Sequence, residues 1–224
     1  MTETAPTQYF TPRPARPAEP SSKERLRDAA LRCFAEAGIA ATSLRAVAEA
    51  AGTSVGLVQH YYGTKAALVE AVDDYAVRVI GDALQGQPLP LPPEDPLLVM
   101  GRRVTALIAE QDVVVAYIGR ALVEGDSIGA EIFDGLLKVS AAQRDRLVER
   151  GQARQDLDPL WSALNVLLLR LGPVILRSHI ERHLPEKFNT AAELTRWDDA
   201  VTTLIRQGQF LPHMHTDAGE KQSD

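Results

Sequence analysis

An all-α fold is predicted by three features of the chain: its composition, the spacing of its apolar residues, and the punctuation between apolar stretches. Aromatic residues make up only 5% of the 224 residues. Ala, Leu, Val, Arg and Glu recur instead, which favours helices over sheets. Apolar positions return at three- and four-residue intervals, and Ser, Thr, Asp, Gly and Pro fall where those stretches start or stop. No alternating strand pattern and no internal repeat occurs. The expected architecture is a three-helix N-terminal head followed by a C-terminal helical bundle, about nine helices in all.

Residues 1–20 contain Pro6, Pro12, Pro14, Pro17 and Pro20 and almost no large aliphatic residues. Such a segment cannot bury enough surface to offset its ordering entropy, so a disordered arm is expected. Its Arg13 and Arg16 either stay solvated or reach into a DNA groove. Ser21 and Glu24 have the spacing of a capping box. The helix they open places Leu26, Ala29, Ala30, Cys33, Phe34 and Ala37 on one stripe and stops at Gly38. Ser43 caps a short helix with Leu44, Val47, Ala48 and Ala51 inward, and Gly52 ends it. Thr53 and Ser54 start a third helix, Val55 to about Tyr62. Thr64 caps a fourth, with Leu68, Val72, Tyr75 and Val79 inward. Five prolines between Gly86 and Pro96 make a stiff connector. Helices are then expected near 96–110, 112–124, 127–150, 158–183 and 190–208, with a polar tail beyond Pro212.

Charge is unevenly distributed. The chain carries −6 overall, which by itself argues against nucleic acid. Residues 1–65, however, hold eight Lys/Arg against six acids, or +2, which leaves −8 for the rest. A mildly basic head on an acidic body suits a protein that meets phosphate at one end only. The single cysteine, Cys33, rules out an intramolecular disulfide and a thiolate zinc site, and on a helix's apolar side it reads as packing. The N-terminus lacks the basic and apolar runs of a signal peptide. No apolar run reaches membrane-spanning length, so the expectation is a cytoplasmic protein without a membrane partner.

The segment from Leu44 to Tyr62 has the form of a helix-turn-helix. The turn needs a residue tolerant of positive φ where the first helix stops, and Gly52 supplies it. Small Ala48 and Ala51 allow a close crossing. Leu57 with Tyr61 or Tyr62 is expected to form the second helix's inner face, leaving Val55, Gly56, Gln59 and His60 outward. On these grounds alone an ordinary helical hairpin remains the alternative.

Ser22 to Val79 resembles the head of the TetR family of transcriptional regulators along its whole length. The resemblance is carried by Ala30-Leu-Arg-Cys-Phe-Ala-Glu-Ala-Gly38, Ala41-Thr-Ser-Leu-Arg-Ala-Val-Ala-Glu-Ala-Ala-Gly52, Ser54-Val-Gly-Leu-Val-Gln-His-Tyr-Tyr-Gly-Thr-Lys65 and Leu68. It implies DNA contacts at Ser43, Arg45, Ser54, Val55, Gly56, Gln59, His60, Tyr61 and Lys65. It also implies a core role for Tyr62. The family usually has Tyr where Gln59 stands and His where Tyr61 stands. Gln59 can instead read adenine bidentately in the major groove. The implied division is a DNA-binding domain at 21–81, an effector-binding and dimerisation domain at 82–210, and a disordered tail at 211–224.

In the body, Asp158 and Pro159 open a helix by cap and first-turn proline. Its residues 163–176 are apolar in nearly every direction, so it should be buried all round, with a kink at Pro173. The family's dimer forms through its last long helices. The expected interface is Leu164, Leu168, Leu171 and Ile175 with Trp197, Val201 and Leu204. Tyr117, Arg120, Asn165, Arg170 and His179 are polar groups in apolar helices, with Arg177 in the same position. They either orient a ligand in a mostly apolar cavity or pair with acids or the partner subunit. His179 and His183 have metal-ligand spacing, but a third ligand is not evident, and His213 and His215 read as solvated; no metal or other cofactor is expected. The resulting expectation is a ligand-responsive regulator, usually a repressor. It would bind palindromic double-stranded operator DNA as a homodimer and be released by a small apolar effector. The alternative is a helical small-molecule-binding protein or enzyme using the cavity. No Ser/His/Asp order, phosphate-cradling loop or paired metal-ligand motif supports catalysis.

Overall fold

The computed structural model describes residues 20–85 and 95–211. The proline-rich arm with Arg13 and Arg16, the connector up to 94, and the tail with His213 and His215 lie outside the described residues. Among those described, there are ten α-helices and one 3₁₀ turn, with a single isolated antiparallel bridge between Ala153 and Phe210.

Helix α1 (Ser22–Ala37) opens on the expected box: Ser21 Oγ accepts from the Glu24 amide, and the Glu24 carboxylate accepts from the Ser21 amide at 2.7 Å. Helices α2 (Leu44–Ala50) and α3 (Val55–Tyr62) start on Ser43 and Ser54, whose hydroxyls accept from the Ala46 and Leu57 amides. Helix α4 (Lys65–Gln85) follows, with Thr64 Oγ1 accepting from the Ala67 amide. Each of these caps satisfies a first-turn N–H that would otherwise lack a partner. Between α2 and α3, Gly52 adopts φ +64°, the conformation the tight turn requires.

The body comprises α5 (Pro96–Glu110), α6 (Asp112–Glu124), α7 (Ser127–Glu149), α8 (Pro159–Ile175), α9 (Arg177–Ile180), a 3₁₀ turn (Glu181–His183) and α10 (Ala191–Gln209). Asp95, Asp126, Asp158 and Thr190 cap α5, α7, α8 and α10. The main core is continuous from head to body. Leu26, Phe34, Val47, Val58, Leu68 and Val72 pack in one cluster with Tyr117 and Ile118 of α6 and Ile128 and Ile132 of α7. Smaller clusters around Ile108, Phe188 and Leu194, and around Val201, Ile205 and Phe210, tie α10 to the body.

Four expectations need correction. The helix expected over 158–183 is three elements, α8, α9 and the 3₁₀ turn. Pro173 stays inside α8, and the break falls after Ile175, where the axis turns by 70°. Arg177 anchors the turned segment by pairing with Asp112 at the start of α6 and with Glu181. In α1, Leu31 is buried while Ala37 is exposed. In α3 the fully buried residue is Val58, with Leu57 and Tyr62 half-buried and Tyr61 exposed. Finally, α8 is not covered on all sides, since Leu160, Trp161 and Leu168 are exposed.

Candidate nucleic-acid interface and body cavity

Helix α3 is short and is held from beneath. Val58 enters the core, Val55 and Leu57 pack against it, and the Tyr62 hydroxyl donates to the Lys23 carbonyl at 2.7 Å. Burial pushes the Tyr62 phenol up from its ordinary value, so it stays a neutral donor. With its inner face so occupied, α3 turns Gly56, Gln59, His60 and Tyr61 to solvent; Ser54 before it and Ser43 and Arg45 of the preceding cap and helix are exposed too. The His60 and Tyr61 rings meet edge-to-face at 5.2 Å. Lys65 is half-buried, its ammonium donating to the Ala40 carbonyl at 3.4 Å. Eight of the nine residues named from the sequence thus lie on the caps and helices of one helix-turn-helix, and Lys65 opens α4 just past it. Val55 and Lys65 are the exceptions in exposure, both half-buried, Val55 against the core. Neighbouring α1 carries Lys23, exposed, with its ammonium 5.6 Å from the Tyr62 ring centre.

The body contains a cavity of about 120 Å³, partly open to solvent, between α4, α5, α6, α7 and α8. Its walls are aliphatic, including Leu84, Val104, Ile118, Val139, Leu167 and Val174, and its polar side chains are Ser140, Gln143 and Arg170. Of the five ligand candidates only Arg170 lines it. Tyr117 is buried, but its hydroxyl donates to Asp73 of α4 at 2.5 Å. Arg120 donates to the Ala35 and Glu36 carbonyls at the end of α1, at 3.2 and 2.9 Å, and pairs with Glu124. Both therefore join body to head. Asn165 is exposed in an open groove beside Trp161, Leu168 and Leu204. His179 is exposed, its Nδ1 3.1 Å from the Arg182 guanidinium. Among the described residues no group of three or more His, Cys, Asp or Glu could hold a metal ion. Cys33 is half-buried against the core, and burial raises its thiol.

The dimer candidates divide the same way. Leu168 and Leu204 are exposed (47% and 59%), whereas Leu171 and Val201 are buried. Trp197 packs edge-to-face on Phe188 at 5.3 Å, and Leu164 and Ile175 are half-buried. The packing register of α8 and α10 separates an inner from an outer face, which composition alone did not do. No single helix among the described residues is long and apolar enough to cross a membrane. The pair α8 and α9 with its 3₁₀ turn passes only when taken together across its 70° bend.

Short helix, positive-φ turn, second helix with a solvent-facing outer side: the head has the form of a helix-turn-helix. Residues 26–72 match the sequence model for bacterial regulatory proteins of the tetR family. Over that segment the chain is similar to the TetR family of transcriptional regulators. It is 28% identical over 144 residues to the HTH-type transcriptional regulatory protein RaaS of Mycobacterium tuberculosis, covering 64% of this chain and 65% of that protein. It is 43% identical over 56 residues to the HTH-type transcriptional regulator BetI of Burkholderia thailandensis, covering 25% and 29%. The chain thus spans less than two thirds of the length of these relatives. Among solved structures, the fold is shared with SmeT, the repressor of the Stenotrophomonas maltophilia multidrug efflux pump SmeDEF, at TM-score 0.63 and 18% identity over 86% of this chain and 92% of that one. A TetR family regulator from Chloroflexus aurantiacus aligns at TM-score 0.69 and 16% identity, covering 86% and 95%.

Proposed function

We propose that the chain is a ligand-responsive regulator that binds palindromic operator DNA as a homodimer, acts as a repressor, and is released by a small, largely apolar effector. The observation that carries this reading is α6. Its Val115 and Ile118 line the body cavity, while Tyr117 and Arg120 hold α4 and the end of α1. An effector that favours one position of α6 therefore favours one position of the head, and so changes how two heads span adjacent major grooves. Residues 21–81 are the DNA-binding unit and 82–210 the effector and dimer unit. The nine head residues make the DNA contacts, with Gln59 at a base edge and Lys65 at phosphate.

The chain acts by binding rather than catalysis. Of the polar cavity side chains, Ser140 already donates to the Ala163 carbonyl and Arg170 is paired with Asp198, which leaves no hydroxyl poised beside a base. The dimer uses the outward faces of α8 and α10, where Trp161, Leu168 and Leu204 form an apolar surface. The test is an electrophoretic shift with DNA upstream of the chain's own gene, in the presence and absence of apolar ligands. A salt-dependent shift with a defined footprint is expected. No shift beyond that on random DNA overturns the reading.

A further inference from the structure

The polar end of the cavity is a closed charge pair. Arg170 faces the cavity, and its guanidinium donates to the Asp198 carboxylate and, at 3.3 Å, to Thr202 Oγ1. Both charged side chains are about nine-tenths buried (10% and 12% exposed). Asp198 does not line the cavity, so the pair presents its cationic member to a ligand with the charge already balanced from behind. The room for that carboxylate comes from α5: a Cβ at Gly101 would collide with it. The Trp197 ring lies 5.4 Å from the guanidinium, within cation–π range. Two of the five N–H donors are used by Asp198 and Thr202, leaving others for a ligand. Ser140 has spent its hydrogen on the Ala163 carbonyl, and the rest of the wall apart from Gln143 is apolar.

We propose that the cavity selects an uncharged apolar molecule bearing one hydrogen-bond acceptor, a ketone, ester or ether oxygen, held by the free N–H groups of Arg170 and by Gln143. This rests on the reading of the cavity as the effector site. A carboxylate entering here competes with Asp198 for the same guanidinium and leaves a net buried negative charge. An ammonium meets only donors on Arg170. A neutral acceptor satisfies the remaining donors and leaves the charge balance unchanged. A cavity of this volume takes a ligand of about six to eight non-hydrogen atoms, since a comparable apolar cavity accepts benzene.

The experiment is calorimetric titration of the full chain with cyclopentanone, cyclopentanecarboxylate and cyclopentylammonium, three probes of one skeleton that all fall within this size. The ketone is expected to bind at one site per chain, roughly tenfold or more tighter than either ion. Asp198→Asn keeps the shape beside Gly101 and removes the balancing charge, so the order should invert in favour of the carboxylate. A carboxylate or ammonium that binds wild type as tightly as the ketone overturns the neutral class while leaving the effector site standing. Failure of all three to bind overturns the effector-cavity reading and this inference with it. A folded Asp198→Asn protein, by circular dichroism, that keeps the wild-type order also overturns the role of the pair. Should that variant not fold, the wild-type comparison decides alone.

Discussion

Gln59 is exposed on the outer face of α3, whereas Lys65 sits at the start of α4 with its ammonium against the Ala40 carbonyl. An amide can pair with a base edge; an ammonium is a point charge that serves any phosphate. Gln59→Ala is therefore expected to cost about 1–3 kcal/mol per subunit on the cognate operator and much less on altered sites. Lys65→Ala should weaken all sequences alike and flatten the salt dependence by about one unit of slope for each phosphate left unneutralised. Titrations of both variants on matched and scrambled DNA at several salt concentrations check this. Equal weakening of both DNAs by Gln59→Ala, with a changed salt slope, would make Gln59 a phosphate ligand. Gly52 gives a second residue-scale prediction. Nothing lies within 4 Å of a Cβ built there, yet its φ is +64°. Gly52→Ala should thus cost roughly 1–2 kcal/mol from backbone strain alone, read by denaturant unfolding. Gly52 was legible in the sequence because positive-φ turns are local chemistry. Val58 was not: in an eight-residue helix the three- and four-residue spacings allow more than one inner face, and only packing on the core chooses.

At the scale of the element, α6 joins head to body. The Tyr117 hydroxyl donates to Asp73, and burial raises the Asp73 carboxyl above its ordinary value, opposed by that hydrogen bond and assisted by Asp126, Asp74 and Glu131. An acid raised in the folded state binds its proton more tightly there than in the unfolded chain. Its contribution is present below the unfolded value and lost as pH rises through the folded one. Asp73→Asn keeps an acceptor for Tyr117 and removes the charge, so it should raise the melting temperature at pH 7 and change it little near pH 4. A uniform change at both values counts against burial as the cause. Arg120→Ala should leave operator affinity close to wild type and reduce ligand-driven release, toward the low end of the roughly 5- to 150-fold range of such couplings. Operator titration with and without ligand measures that ratio; an unchanged ratio removes Arg120 from the path. Helix existence and caps were readable along the body, because Asp158-Pro159 and its counterparts are local signals. The partners of Tyr117 and Arg120 were not, since they lie 44 and about 85 positions away, beyond the reach of any local pattern. Nor was the break after Ile175, which depends on Arg177 reaching Asp112 across 65 positions.

For the whole molecule, the cavity and the proposed assembly surface share α8, whose inner side carries Leu167 and Arg170 and whose outer side carries Trp161 and Leu168. A sequence apolar in every direction conceals that division, because burial in the core and burial against a second copy need the same side chains. Exposure separates them. Leu204 is 59% exposed and Val201, one turn earlier on α10, is 5% exposed. A charge at Leu204 meets solvent in the isolated chain and becomes buried only when a second copy covers it. A charge at Val201 is buried in every state and has no partner to offset its desolvation. Leu204→Asp should therefore give a folded monomer with a cooperative melt and greatly weakened operator binding, since each head alone holds one half-site. Val201→Asp should fail to melt cooperatively, with roughly 2–5 kcal/mol of stability removed by such a core lesion. Sedimentation velocity at micromolar concentration, alongside thermal melts, distinguishes the two. A Leu204→Asp protein that remains a dimer and keeps wild-type operator affinity would place the subunit interface elsewhere. The outer face of α8 and α10 would then need another occupant.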